Sequence, residues 1–197
     1  MPEHDIDDLT PDERARIVKS AVTPRPIAWI STTSEDGVDN LAPFSSYNYV
    51  SSSRPVVLFN SPNAEHGGLK DTAKNALETE EFAVNVVTEP LTERMDHTSA
   101  PLPPEESEFD LAEVERADCT RIAPPRVADA PVTMECTLHD SITVHDRVMI
   151  LGEVVYVHLS DEVLTGDKIE MTKIDTVGRL GGPYYTGVEP MDFERRY

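Results

Sequence analysis

Arg25-Pro26-Ile27-Ala28-Trp29-Ile30-Ser31-Thr32-Thr33 leads through Ser34-Glu35-Asp36-Gly37 into Val38-Asp39-Asn40-Leu41-Ala42-Pro43-Phe44-Ser45-Ser46, and this stretch decides the fold. Ile27 to Thr33 is rich in β-branched and aromatic side chains, which suit a pleated, half-buried surface. Asp36-Gly37 closes a hairpin connection, and Val38 to Ala42 returns as the antiparallel partner. Pro43 has no N–H to donate, so the ladder is expected to stop there and open into a polar loop from Ala42 to Asn48. Val56 to Phe59 is a continuous apolar run, read as a strand covered on both faces. Lys70-Asp71-Thr72 opens a helix with Leu69, Ala73, Ala76 and Leu77 on one face.

Outward from this stretch, Thr10-Pro11-Asp12-Glu13 carries the signals of a helix start: Thr10 as N-cap, proline at the first position, and Glu13 completing a capping box. That helix should run to about Ser20, before Pro24 and Pro26 impose an extended path. Glu81 to Val87 alternates Phe82, Val84 and Val86 against Ala83, Asn85 and Val87, a strand with one face inward. Pro90 to Asp96 reads as a short helix. From Thr98 to Pro131, prolines and acids mark a long surface excursion with one helical turn near Asp110 to Glu115. Val132 to Val144 and Val148 to Leu159 are two long strands across His145-Asp146-Arg147, which implies a strongly coiled antiparallel sheet. In Val177-Gly178-Arg179-Leu180-Gly181-Gly182-Pro183-Tyr184-Tyr185 the glycines permit a close turn and the tyrosines supply anchors. With few helices and no βαβ alternation, the expected class is mainly β with peripheral helices. The boundaries read as a helical lead over 1–24, one barrel domain over 25–187 that includes the 98–131 excursion, and a tail over 188–197.

The 17 Lys and Arg stand against 37 Asp and Glu, a formal net charge of -20. Such an excess repels nucleic acid and anionic lipid, so neither is an expected partner. It also keeps a protein soluble in concentrated salt, where screening is short-ranged, and points to a salt-loving source. No stretch approaches the roughly 20 apolar residues that cross a bilayer. The start Met1-Pro2-Glu3-His4-Asp5 lacks the features of a secretory signal, so a soluble cytoplasmic protein is expected. Cys119 and Cys136 read as free thiols, Cys136 in the core in phase with Val132, Met134 and Leu138. No pair of Cys or His shows metal-ligand spacing.

Among chemical signals, a lysine at a helix start is notable in so acidic a chain, because the free N–H groups and the dipole there favour an anion. Asp71 as a simple N-cap is the plainer reading. Trp29 is expected in the core rather than on a cofactor. His66, His97, His139, His145 and His158 form no recognisable triad, and Gly178 to Gly182 lack the strand–helix context of a dinucleotide fingerprint.

Together, Arg25 to Trp29, Asn40-Leu41-Ala42-Pro43-Phe44-Ser45, Lys70-Asp71-Thr72, Glu81 to Asn85, Ala123 to Val127, Glu135-Cys136 and Arg179 to Tyr184 resemble the flavin reductase-like, FMN-binding split-barrel family, in its flavoredoxin-related branch. The resemblance covers roughly residues 20 to 187. It implies a Greek-key split β-barrel, a homodimer with FMN near the subunit interface, and hydride transfer from NADH or NADPH to the flavin and onward to a small-molecule or protein acceptor. Carried over by position, Asn40, Ala42, Pro43, Phe44, Ser45 and Ser46 would hold the isoalloxazine edge. Lys70, Asp71 and Thr72 would stand at the phosphate, with Lys70 and Thr72 holding it, and Asn60 and Ser61 would line the path between. Relatives with arginine before Lys-Asp-Thr differ from this chain, which has Ala64-Glu65-His66-Gly67-Gly68, whose glycine amides would substitute. No catalytic acid or base is demanded, since the flavin carries the chemistry. An FMN-holding electron carrier without NAD(P)H turnover is the alternative, and a barrel without its cofactor a third reading.

Overall fold

The computed structural model describes residues 1–63, 65 and 68–193. Helix α1 (Pro11–Ala21) begins as its sequence demands: Glu13 N donates to Thr10 Oγ1, while Glu13 Oε2 accepts from Thr10 N. Strands β1 (Arg25–Pro26), β2 (Ala28–Thr33), β3 (Asp39–Phe44), β4 (Tyr47–Ser51) and β5 (Val56–Pro62) follow. Next come α2 (Asp71–Glu78), β6 (Glu81–Val86), α3 (Thr92–His97) and α4 (Glu108–Leu111). Short strands β7 (Arg116–Ala117) and β8 (Arg126–Val127) precede the long pair β9 (Val132–Val144) and β10 (Arg147–Leu159). Hairpins β11 (Leu164–Thr165) with β12 (Lys168–Ile169), and β13 (Val177–Arg179) with β14 (Tyr185–Gly187), complete the fold.

Seven strands form one antiparallel sheet in the order β3-β2-β6-β9-β10-β5-β4. Its two edge strands are consecutive in the chain, joined only by Ser45 and Ser46. Two intervening residues hold the Cα atoms of Phe44 and Tyr47 to at most about 11 Å apart. The sheet must therefore curl until its edges almost meet, and it remains open at that seam. Register shifts between Leu151 and Gly152 and between Val154 and Tyr156 supply bulges that deepen the coil of β10 against β9.

Pro43 does not stop its ladder. Trp29 pairs with Pro43 and Ala28 with Phe44, so β3 runs through the proline. Leu41 N donates outward to Glu108 Oε2, and Pro43, two residues on, presents its nitrogen to the same open side. An edge strand tolerates proline where no donor is needed. The polar loop expected from Ala42 to Asn48 contracts accordingly to the Ser45–Ser46 bend, with β4 beginning at Tyr47.

Alternation along β2 divides two cores. Ala28 and Ile30 lie with Phe44, Phe59, Ala73, Ala76, Phe82, Val84, Cys136 and Ile150, with Leu69 and Leu77 packed alongside, as the helical face of α2 led us to expect. Trp29 and Ile27 lie on the opposite side with Leu41, Met95, Phe109, Val114, Val127 and Ala130. Trp29 is a core residue, its Nε1 donating to Thr98 Oγ1. Much of this second core comes from residues 98–131, so that segment packs as structure as well as surface. It also covers the face of β6 that alternation left outside: Asn85 is fully buried, its Oδ1 accepting from Val127 N and Thr133 Oγ1. In the tail only one tyrosine anchors, since Tyr185 Oη donates to Asp96 Oδ1 while Tyr184 is exposed.

Two buried glutamates brace these layers. Burial is the main influence on Glu108 and pushes its carboxyl above the usual range, although Leu41 N and Asn40 Nδ2 both donate to it. Burial also acts to raise Glu135, but Thr120 N, Arg121 N and His158 outweigh it and hold this carboxyl low. The signs differ accordingly. Glu108 favours folding below the ordinary carboxylate pKa and loses that contribution as pH rises through its raised value; Glu135 contributes above its ordinary pKa and loses it as pH falls through its lowered one. At neutral pH, Glu108→Gln should raise Tm, because one amide oxygen still accepts both donors and no charge is buried. Glu135→Gln should lower stability by about 2 kcal/mol, because an NH2 then meets a backbone N–H. Thermal unfolding from about pH 2 to about pH 8, which passes below and above the ordinary carboxylate pKa of about 4.3, checks both signs.

Candidate functional site

The seam of the barrel opens on a cavity of about 610 Å3. The Ser45–Ser46 bend forms one wall, fixed by the Asn60 N–H donating to Ser46 O at 3.1 Å. Strand alternation turns Leu58 and Asn60 towards the cavity and puts Phe59 and Ser61 on the other face of β5. Asn60 and Ser61 therefore do not line one path side by side. The opposite wall is the last turn of α1 with Val18, Lys19 and Val22, then Pro24, Arg25 and Pro26, and Arg147 from β10.

Three of the 17 basic residues, Lys19, Arg25 and Arg147, thus meet at one cavity. Nothing in their spacing announces this; only closure of the sheet and the fall of α1 across the seam bring them together. Arg25 is clamped, with Nη1 donating to Lys19 O at 2.5 Å and Nη2 to Leu180 O at 3.2 Å. Burial and then the nearby Arg179 lower its pKa, yet a guanidinium remains cationic at any working pH. Tyr47, at the cavity edge, is pushed up to about 12 by burial and by Cys136, so it stays a neutral phenol.

Ser61 is fully buried, and its Oγ is the one buried side-chain oxygen or nitrogen among the described residues without a hydrogen-bond partner. Leaving such a group unmade costs about 1–3 kcal/mol. Phe44 closes the same region from β3, its ring 4.8 Å from that of Phe59. Ala42 and Pro43 stand partly buried on β3, paired with Ile30 and Trp29.

Asn40 and Thr72 belong to a different neighbourhood. Thr72 Oγ1 donates to Asn40 Oδ1 at 2.5 Å, Asn40 Nδ2 donates to Glu108 Oε2 at 2.8 Å, and both residues are buried. The side chain of Thr72 is committed within the protein, so whatever it offers a ligand is backbone. Asp71 and Lys74 line a smaller cavity of about 260 Å3 whose walls include Asp36, Glu105 and Glu106. Lys70, rather than Asp71, is the N-cap of α2; it is exposed and makes no side-chain cap. The first amides of this eight-residue helix are thus left uncapped by their own N-cap side chain, the arrangement that favours an anion. Ala64, His66 and Gly67, before this helix, lie outside the described residues, as do Glu194 to Tyr197 of the tail.

The model of the flavin reductase like domain matches residues 20–173. The chain belongs to the flavin reductase like domain family. This flavin reductase-like chain is 39% identical over 175 residues to a protein of Aquifex aeolicus (strain VF5), covering 88% of this chain and 89% of that one. It is similar in structure to nitrilotriacetate monooxygenase component B from Bacillus cereus, with a TM-score of 0.93 and 28% identity over 99% of this chain and 98% of that one. It is similar also to the 2-nitrobenzoate 2-nitroreductase NbaA of Pseudomonas fluorescens, with a TM-score of 0.86 and 28% identity over the whole of both chains. The Greek-key split barrel implied by the ordered motifs is the fold observed.

Proposed function

We propose that the protein is an FMN-dependent flavin oxidoreductase that takes hydride from NADH or NADPH and passes the electrons to an acceptor. The single observation that carries this reading is the seam: a cavity of about 610 Å3 with three cations in a chain of net charge -20. A volume of this size lies within the roughly 300–1,000 Å3 range of ligand sites.

In this reading the Ser45–Ser46 bend and the Phe44 end of β3 meet the isoalloxazine edge, with Asn60 beside them. Lys70 and the first amides of α2 hold the phosphate. Asn40 and Thr72 act one layer back, where their mutual hydrogen bond fixes the start of α2 against β3. When bound, FMN supplies the two-electron chemistry. The chain's own part is to orient, to exclude water behind Phe44 and Phe59, and to attract anionic substrates through Lys19, Arg25 and Arg147.

A second copy of the chain fits the same reading. Helix α1 buries none of its residues, and Ile17, Val18 and Val22 stand exposed beside the cavity, as do Tyr49 and Val50 on the edge strand β4. Light scattering should therefore give a homodimer. The excess of acids further suggests a protein suited to concentrated salt.

The test is direct. Purified protein titrated with FMN should bind one flavin per chain, and NADH or NADPH should then bleach the flavin band within the turnover time. Protein that stays colourless with added FMN would overturn the reading. Flavin that binds but does not bleach would assign a carrier instead.

A further inference from the structure

We propose that Cys119, Glu135 and His158 form a binding site for a zinc-like divalent cation, apart from the flavin cavity. Cys119 lies in the excursion just after β7, Glu135 on β9 and His158 on β10, and their ligating atoms all lie within 4.8 Å of one another. A thiol, an imidazole and a carboxylate make the donor set of a tetrahedral zinc site. Bonds of about 2.0–2.3 Å place tetrahedral ligand atoms roughly 3.3–3.7 Å apart, so side-chain adjustments of about an ångström complete the geometry.

The surroundings are those of a site. Glu135 is fully buried and oriented by Thr120 N at 2.7 Å and Arg121 N at 2.6 Å, a support that leaves its outward lone pairs to His158 or to a metal. His158 Nε2 lies 2.5 Å from Glu135 Oε1, so the imidazole already faces the shared point. On its other side His158 lines a cavity of about 410 Å3 with Tyr156, Arg126 and Ser160, so solvent reaches the imidazole. Binding balances simply. The cation takes the place between His158 Nε2 and Glu135 Oε1, the imidazole proton resides on Nδ1, and Cys119 releases its thiol proton to solvent. No electron moves. The consequence is mechanical: a bound ion ties the loop after β7 to the paired strands β9 and β10, pinning the excursion to the barrel.

The experiment uses the full chain, stripped with chelator and dialysed into concentrated salt, so that the 37 acids do not bind cations indiscriminately. Zinc competition against a chromophoric chelator should give one tight site per chain, and cobalt should show a thiolate charge-transfer band. His158→Gln keeps a donor for Glu135 but loses the imidazole ligand; it should weaken zinc at least about a hundredfold while Tm of the stripped protein holds. Cys119→Ser should abolish the cobalt charge-transfer band. Wild-type uptake no tighter than that of His158→Gln, or cobalt bound without a thiolate band, would overturn the proposal. Flavin binding is read separately, so failure of one assignment leaves the other standing.

Discussion

Lys70→Glu is expected to weaken FMN binding by at least about a hundredfold without changing the fold. A hydrogen bond to a charged group contributes about 1.5–3 kcal/mol, and reversing the charge adds repulsion of similar size. Lys70 is exposed and makes no cap, so its replacement leaves α2 packed through Ala73 and Ala76. Lys168→Glu, on the β11–β12 hairpin, changes net charge equally and serves as the control. Equilibrium fluorescence titration in the same high-salt buffer reads both variants. Equal affinities for Lys70→Glu and wild type would remove the phosphate from the start of α2 and shift attention to Lys19, Arg25 and Arg147.

Gly152→Ala should destabilise the barrel by about 3 kcal/mol or more, at the upper end of overpacking effects. An added Cβ would stand 2.2 Å from Phe82 Cζ, 2.8 Å from Phe82 Cε1 and 3.0 Å from Cys136 Cβ. Phe82 cannot swing aside cheaply, because its ring packs edge-on against Phe59 at 5.3 Å, and Phe59 in turn against Phe44. The glycine also sits at the first bulge of β10, where its register against β9 shifts. Chemical denaturation should show a lower midpoint with the slope unchanged. A midpoint equal to wild type would mean that the Phe82 ring is free to move. Because Phe44 ends β3 at the Ser45–Ser46 bend, any surviving folded Gly152→Ala protein should also bind flavin less tightly.

Much of the barrel was legible in the residues themselves. The capping box at Thr10 and Glu13, the Asp36-Gly37 turn, the paired alternations of β9 and β10 and the core position of Cys136 all follow from local stereochemistry and period. The readings that changed have one physical source. Pro43 was expected to end a ladder, and β6 to have only one face inward. Each depends on which surface a neighbour covers, and those neighbours are Glu108 and Val127 of the excursion, distant in the chain.

The amino-acid sequence alone determined the long strands, the Asp36-Gly37 turn, the acidic surface and the apolar period that makes a coiled sheet necessary, because these rest on interactions between near neighbours. Only the tertiary structure decided that the seam falls at Ser45 and Ser46, that Lys19, Arg25 and Arg147 converge there, and that Cys119 meets Glu135 and His158. Curling the sheet sets Arg147 against Lys19 and Arg25 from the far end of the chain, and the excursion carries Cys119 to the paired long strands; no spacing along the chain encodes either meeting.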